Sequence, residues 1–219
     1  MLTVSPTIGL IYVLSQISDY LRTPKIHQVN KLIIWLNQNK NTNFSLLINN
    51  NNSLSMDYWL AGFVDADGGF MINYKKKRDK DKNRDIIKLT LTIEQRMVDF
   101  TSKETYELIL NKIALLFKTK VGIRAQKSTG RWYYRIVATS HISRLAVIKY
   151  FAEFPLQSSK RLNFLDWKKA SLIKMSNRNK VLSIEQKNII YDIKENMNRK
   201  RIYYSWNHLI DSDLFNILD

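Results

Sequence analysis

The chain has 219 residues, of which 45% are hydrophobic and 11% aromatic, so it can bury a core in one large or two small domains. Lysine and arginine number 35 against 19 acidic residues, and the formal net charge of +16 is typical of proteins that bind polyanions. The absence of cysteine excludes disulfide scaffolds, zinc fingers and thiol nucleophiles. No stretch reaches the roughly 18 apolar residues of a membrane span, so we expect no membrane partner.

The N-terminal part of the chain, residues 1–40, has the pattern of a helical segment. The Asn-rich residues 41–55 interrupt the periodicity on both sides and are interpreted as a linker. Residues 56–178 are therefore expected to form a separate domain. Residues 179–219 are expected to form a C-terminal helical extension.

Hydrophobic periodicity predicts the order helix, strand, strand, helix, strand, strand, helix in the central domain. The predicted elements are a helix at 57–66, strands at 69–77 and 85–95 joined by a charged loop at 78–84, a helix at 102–117 with Ser102 as its N-cap, strands at 120–126 and 131–139 around the turn KSTG, and a helix at 140–154. Two hairpins that alternate with helices imply an α+β fold with an antiparallel sheet and helices on one face. Further helices are predicted at 159–175 and 183–199.

Alternation along the strands indicates what the uncovered face of the sheet could bind. Ile87, Leu89, Leu91 and Ile93 are apolar, whereas the residues between them are polar. Hydrogen-bonding and cationic side chains on two-stranded ribbons fit a DNA major groove about 12 Å wide. The predicted contacts to double-stranded DNA are Lys75, Lys88, Thr90, Thr92, Arg124, Gln126, Arg131, Tyr133 and Arg135. The alternative is that these strands merely have a solvated polar face.

The stretch LAGFVDADGGF, residues 60–70, ends an apolar helix on two carboxylates. A helix C-terminus carries the negative end of the dipole, so carboxylates there are unfavourable unless a cation is present. Hard oxygen donors without cysteine or clustered histidine suit Mg²⁺. Ala61 and Gly62 are small enough to let a second helix approach closely. The alternative is an ordinary turn whose aspartates bond their own backbone.

This stretch strongly resembles the signature of the LAGLIDADG homing endonucleases and matches it at seven of nine positions. The resemblance implies an αββαββα unit with a four-stranded, saddle-shaped antiparallel sheet. It implies that Asp67 binds catalytic Mg²⁺ with the Ala66 carbonyl as a second ligand, and that Gly62 and Asp65 serve the packed helix end. Gln95 and Lys160 match the polar group and the lysine beside the scissile phosphates, although Gln95 falls on the apolar side by strict alternation.

The number of motifs departs from the family pattern, because family members form homodimers of one-motif chains or carry two motifs. This sequence has one. LRTPK at 21–25 is similar to LQSSK at 156–160, and each is followed by a helical stretch with a tryptophan, Trp35 or Trp167. Residues 1–40 are thus interpreted as the tail of a preceding LAGLIDADG unit, with Lys25 as the counterpart of Lys160. An unrelated N-terminal extension is the alternative.

The resemblance implies an intron-encoded, site-specific DNA endonuclease that hydrolyses phosphodiester bonds with a divalent metal. The alternatives are an RNA maturase that assists splicing of its host intron RNA, and a DNA-binding regulator that has kept only the fold. The expected assembly is a homodimer or a pair with a separate first LAGLIDADG unit. The bias towards Asn, Ile and Lys suggests an AT-rich organellar gene, hence a mitochondrial location.

Overall fold

A computed structural model of the chain describes residues 6–76, 85–177 and 181–210. Its elements, in chain order, are α1 (Thr7–Ile17), α2 (Ile26–Asn39), α3 (Trp59–Asp67), β1 (Gly68–Lys75), β2 (Ile86–Arg96), α4 (Glu107–Leu116), β3 (Val121–Gln126), β4 (Arg131–Ala138), α5 (His141–Glu153), α6 (Lys160–Ser176), α7 (Ile184–Glu195) and α8 (Asn207–Ile210), with short 3₁₀ turns at Ser18–Tyr20 and Asn198–Lys200. The predicted loop at 78–84 lies outside the described residues.

The strands form one four-stranded antiparallel sheet in the order β1-β2-β4-β3. The prediction of an α+β fold with two hairpins is therefore confirmed. The β3–β4 hairpin closes through the predicted turn, where the Gly130 amide donates to the Gln126 carbonyl at 2.8 Å. Gly130 has φ +63°, a conformation that glycine adopts without steric cost.

One face of the sheet is covered by helices and the other is open. Phe70, Ile72 and Tyr74 of β1 are buried on the covered face, and the residues between them are exposed. The core centres on Trp167 of α6, which is fully buried and lies 5.4 Å from the Phe70 ring, measured between centroids. The alternation of apolar and polar residues thus gives the sheet one buried and one exposed side. We call the exposed side the open face.

Two helix boundaries differ from the prediction. The helix predicted from Ser102 begins at Glu107, because the Asp99 carboxylate accepts hydrogen bonds from the Thr101 and Ser102 amides and folds that segment into a turn. The prediction of Ser102 as N-cap was wrong, and Thr105 instead accepts the Glu107 amide at 3.1 Å. The helix predicted at 183–199 ends earlier, at Glu195.

The N-terminal part of the chain packs around its own small apolar cluster, formed by Leu14, Ile33 and Leu36. Residues 41–50 have no regular secondary structure but lie along α2. The Asn30 side chain donates to the Leu47 carbonyl at 2.9 Å and accepts from the Leu47 amide at 2.8 Å. Asparagine side chains thus satisfy the backbone of an extended segment that no strand pairs with.

A buried ion pair joins this N-terminal part to the central domain. Arg22 donates to both oxygens of the Asp57 carboxylate, at 3.1 and 2.6 Å, and its side chain is only 1% exposed. Asp57 also accepts the Trp59 amide at 3.0 Å, at the start of α3. Within the described parts of the chain, no helix is long and apolar enough to cross a lipid bilayer.

Candidate active site

The first aspartate of the motif, Asp65, bonds to the segment that precedes α6. Its Oδ2 accepts the backbone amides of Gln157 at 2.8 Å and Ser158 at 3.2 Å, and its Oδ1 accepts the Ser158 hydroxyl. These amides lie just before the start of α6, where backbone donors have no helical partner. The Asp65 carboxylate thus holds the beginning of α6 against the end of α3.

Lys160 occupies the other side of the same junction. Its Nζ donates to the carbonyls of Val64 at 2.9 Å, Asp65 at 2.7 Å and Ala66 at 3.4 Å. The ammonium therefore neutralises the negative end of the α3 dipole. Burial lowers the pKa of Lys160, while the nearby carboxylates of Asp65 and Asp67 act to raise it.

The second aspartate, Asp67, ends α3 and is exposed. Its carboxylate has no hydrogen-bond or ion-pair partner among the residues that the structure describes. The chain then turns sharply into β1 at Gly68, where an added Cβ would lie 2.5 Å from Val64 Cγ1 and 2.8 Å from the Val64 carbonyl oxygen. Glycine at this position lets the strand start directly at the helix end and leaves Asp67 at an open corner.

Gln95 does not lie on the open face. It is paired with Tyr134 on the covered side of the sheet. Burial raises the pKa of the neighbouring Tyr106 hydroxyl, and a hydrogen bond from the Gln95 side chain acts to lower it. Gln95 is thus half-buried on the covered side, in agreement with the strand alternation, and bonds a tyrosine on which the charge of Asp67 also acts.

Glu94, which the sequence analysis did not select, is a further polar residue near the end of β2. It follows Ile93, which pairs with Gly68 at the start of β1. Glu94 belongs to the open face, where it pairs with Arg124 at 2.8 Å and Arg135 at 3.0 Å. The alternation of β2 contained this signal, since Glu94 is the last residue of its polar set.

The predicted DNA contacts lie on the open face. Cross-strand pairs there join Gly122 to Arg135, Arg124 to Tyr133 and Gln126 to Arg131. The Tyr133 hydroxyl donates to Gln126 Oε1 at 3.0 Å, which fixes that pair. Thr90 is only 7% exposed and is the least accessible of the predicted residues. The other predicted residues on this face are Lys75, Lys88 and Thr92.

The outward side of α3 is a second open surface. Gly62 is exposed, and no atom lies within 4 Å of the position that a Cβ would take there. On the same side, the rings of Trp59 and Phe63 stack with centroids 5.0 Å apart. Arg22 lies over the other side of this pair, 5.6 Å from the Trp59 ring centroid. The surface is flat enough at Gly62 for a second helix to approach closely.

The oxygen atoms at this corner fit part of a magnesium site. The Asp67 carboxylate and the Ala66 carbonyl are hard donors of the kind that Mg²⁺ prefers. In the described ranges no group of three acidic, histidine or cysteine side chains is arranged to hold a metal. The residues of this corner that could hold the ion are therefore Asp67, through its carboxylate, and Ala66, through its carbonyl.

The fold and the end of α3 together define a class of protein. It is an α+β unit in which the motif helix ends at the exposed aspartate Asp67, directly before the first strand of a four-stranded sheet. Residues 60–171, slightly more than half of the chain, match the family described as LAGLIDADG endonuclease. The chain belongs to the LAGLIDADG endonuclease family.

Several known proteins are similar to this chain. The intron-encoded DNA endonuclease aI3 of Saccharomyces cerevisiae is 25% identical over 95% of this chain and 56% of its own length. An uncharacterized cox1 intron-2 protein of Schizosaccharomyces pombe is 36% identical over 61% of this chain and 36% of its own length. The crystal structure of the homing endonuclease I-SmaMI bound to cleaved DNA matches with 26% identity and a TM-score of 0.52, over 90% of this chain and 60% of that one. The chain thus spans about half the length of the first of these relatives.

Proposed function

We propose that this chain is one half of an intron-encoded, site-specific DNA endonuclease that cleaves phosphodiester bonds. The observation that carries the proposal is the exposed carboxylate of Asp67, which has no hydrogen-bond or ion-pair partner among the described residues and ends α3 where β1 begins. A carboxylate at the negative end of a helix is stabilised by a cation, and a nuclease needs one beside the phosphate. The relatives that are named as DNA endonucleases support the same activity.

The open face is the proposed surface for double-stranded DNA. Arg124 and Arg135 are held in place by Glu94, so their guanidinium groups are preorganised for hydrogen bonds to base edges. Lys75 and Lys88 have no partner among the described side chains and are suited to phosphate contacts, which carry the salt dependence of binding. Gln126, Arg131 and Tyr133 extend the same surface towards the β3–β4 turn.

At the corner, Asp67 and the Ala66 carbonyl would hold Mg²⁺ together with a carboxylate from a second unit. When bound, the ion polarises the scissile phosphate and lowers the pKa of attacking water. Lys160 keeps positive charge at the helix end, and Asp65 fixes the start of α6 on which Lys160 stands. Gln95 is the candidate for a polar contact near the phosphate, because its side chain bonds Tyr106 and the charge of Asp67 acts on the same hydroxyl.

Cleavage of both strands requires a second unit, paired through the outward side of α3 around Gly62. This unit is either a copy of the same chain or a separately supplied first LAGLIDADG unit. We further propose that residues 1–40 and 41–55 form a helical part and its linker, that residues 56–178 form the nuclease unit, and that residues 179–219 extend it. The cox1 intron origin of one relative supports a mitochondrial location.

The test begins with the mass of the particle in solution, followed by incubation with DNA that spans an intron-insertion junction, with and without Mg²⁺. We expect cleavage only with the metal and only from a paired particle. Asp67→Asn keeps the shape of the side chain, so it should abolish cleavage while DNA binding is retained. The matched control is Asp192→Asn, at an exposed position on α7.

A paired, folded particle that binds the junction but never nicks it in Mg²⁺ would contradict the endonuclease proposal. The RNA maturase would then be favoured, and binding to the host intron RNA would be measured with the same particle.

A further inference from the structure

A second concave surface lies beyond the end of β2, at the end of the sheet where β1 starts. The chain leaves the sheet at Arg96 and runs alongside the start of β4, where the Met97 amide donates to the Trp132 carbonyl at 3.2 Å. A cavity of about 600 Å³ opens there, within the range of about 300–1,000 Å³ that is common for ligand sites. Its walls are the apolar side chains of Met97, Val98, Phe100, Ile123 and Trp132. We call it the end pocket.

The aromatic walls of the end pocket are exposed yet held in place. Phe100 is 77% and Trp132 is 57% exposed, which is unusual for such large side chains. Phe100 lies at the tip of the turn that Asp99 organises, and Asp99 also accepts the Tyr106 hydroxyl at 3.3 Å. These bonds fix the backbone turn that carries Phe100, and the Lys103 ammonium lies over one side of the Phe100 ring, 4.6 Å from its centroid.

Two arginines stand at the rim of the end pocket, Arg96 and Arg131. Neither guanidinium has a hydrogen-bond or ion-pair partner within residues 6–76, 85–177 and 181–210, whereas Arg124 and Arg135 on the same sheet are paired with Glu94. Both acidic residues of the adjoining turn are engaged elsewhere: Asp99 is buried and accepts the Thr101 and Ser102 amides, and Glu104 lies 2.8 Å from His27. The pocket thus combines aromatic surface with uncompensated positive charge.

We propose that the end pocket binds an unpaired nucleobase of a nucleic acid strand, with the adjoining phosphates at Arg96 and Arg131. Aromatic side chains take up bases by stacking, and arginine provides both cation–π and phosphate contacts. A base within a duplex is already stacked on both faces, so the pocket selects a nucleotide that is out of the stack. Arg131 also belongs to the open face, so a strand held at the end pocket would continue onto the proposed duplex surface. An unpaired base can come from RNA or from locally opened DNA.

The test measures binding of fluorescently labelled single strands, an oligo-U RNA and an oligo-dT DNA, to the full chain, with a DNA duplex as the third ligand. Phe100→Ala and Trp132→Ala should each weaken single-strand binding by at least about 5-fold, because stacking contributes about 1–3 kcal/mol per base. Trp132→Phe keeps a stacking surface and should restore much of the affinity. Duplex affinity should not change. The matched control is Trp35→Ala, an exposed tryptophan on α2.

Arg96→Ala should weaken both single strands and reduce the slope of log affinity against log salt by about 1. A loss confined to the RNA assigns the site to RNA, and an equal loss for both assigns it to any unpaired strand; both support the proposal. Unchanged single-strand binding in Phe100→Ala and Trp132→Ala would overturn it. So would a change in particle mass without a change in single-strand binding, because the pocket would then contact protein. These outcomes do not depend on whether the chain cleaves DNA.

Discussion

The helices α2 and α6 begin with the same local hydrogen bonds but meet different surroundings. At α2 the Ile26 amide donates to the Thr23 carbonyl at 3.0 Å and the His27 amide to the Pro24 carbonyl at 3.2 Å. At α6 the equivalent bonds run from Arg161 to Ser158 at 2.9 Å and from Leu162 to Ser159 at 3.2 Å. The weak sequence similarity of LRTPK and LQSSK therefore corresponds to the same backbone turn.

The two helix starts differ in what their side chains bond to. Ser158 and Lys160 bond to the end of α3, whereas Thr23 and Lys25 have no such side-chain bonds to any described residue. The α2 start is instead held from its flanks, by Arg22 on Asp57 and by His27, which lies 2.8 Å from Glu104. The two helix starts thus share their backbone turn, while among the described residues only Ser158 and Lys160 bond to a helix end; the prediction that Lys25 is the counterpart of Lys160 in a preceding unit stays a prediction.

The largest effect on stability is expected at Arg22, where the segments before α2 and α6 differ in sequence. The residue before α6 that corresponds to Arg22 is Gln157. Arg22→Met should reduce the free energy of unfolding by about 3 kcal/mol, because it leaves the partly buried Asp57 carboxylate without its cation. Urea denaturation measures this change, with the exposed Lys31→Met as control. A loss no greater than that of the control would show that the pair does not hold α2 in place.

The two motif aspartates should respond very differently to the same substitution. Asp65→Asn should cost about 2 kcal/mol, because the amide group cannot accept the hydrogen bonds from Gln157, Ser158 and its hydroxyl as the carboxylate does. Asp67→Asn should change stability by less than about 0.5 kcal/mol. Thermal unfolding of both variants tests this, and equal losses would contradict the separation of a structural from a functional carboxylate.

The lysines give the most direct comparison of the two starts. Lys160→Met removes the ammonium from the α3 carbonyls and should cost about 1–2 kcal/mol. Lys25→Met should cost less than about 0.5 kcal/mol in the isolated chain. If adding a first LAGLIDADG unit makes Lys25→Met as costly as Lys160→Met, the two lysines are equivalent. A large cost in the isolated chain would mean that Lys25 already has a partner within it.

Low pH should reduce the stability that comes from the turn organised by Asp99, which contacts the start of α2. Hydrogen bonds from Ser102 lower the pKa of Asp99 in the folded state. As the pH falls, Asp99 is therefore protonated in the unfolded chain before it is protonated in the folded chain. Its contribution to the free energy of unfolding is complete above about pH 3.9, decreases below that value and is lost below the pKa of the folded state. Stability of the wild type should fall more steeply than that of Asp99→Asn over this acidic range. Asp19→Asn, at an exposed position, should follow the wild type.

The smallest stability effect is expected at Gly62, since no atom of the described residues lies within 4 Å of the position that a Cβ would take there. Gly62→Leu should leave thermal unfolding of the isolated chain within about 0.5 kcal/mol of the wild type. It should nevertheless separate paired units, which sedimentation detects as a lower mass. A variant that retains the paired mass would show that α3 is not the contact between units.

Much of the fold could be predicted from the sequence, because strand alternation and helical periodicity record which side of each element is buried. The order of the elements from α3 to α5 follows directly from these patterns, as does the turn at Gly130. The boundary of α4 could not be predicted in this way. Ser102 is a good N-cap by composition, but Asp99, three residues earlier, captures its amide first.

The sequence by itself determined the motif, the net charge and the polar side of each strand, because these depend on residue type and local spacing. The tertiary structure decided which carboxylate is free and which is bonded, since Asp65 and Asp67 differ only in what α6 brings to them. It also brought Gln95 and Asp67 to the same tyrosine, Tyr106, because strand register and packing relate residues that are distant in the chain. Local pattern specifies what a residue can do, and the register and packing of distant segments specify which residue does it.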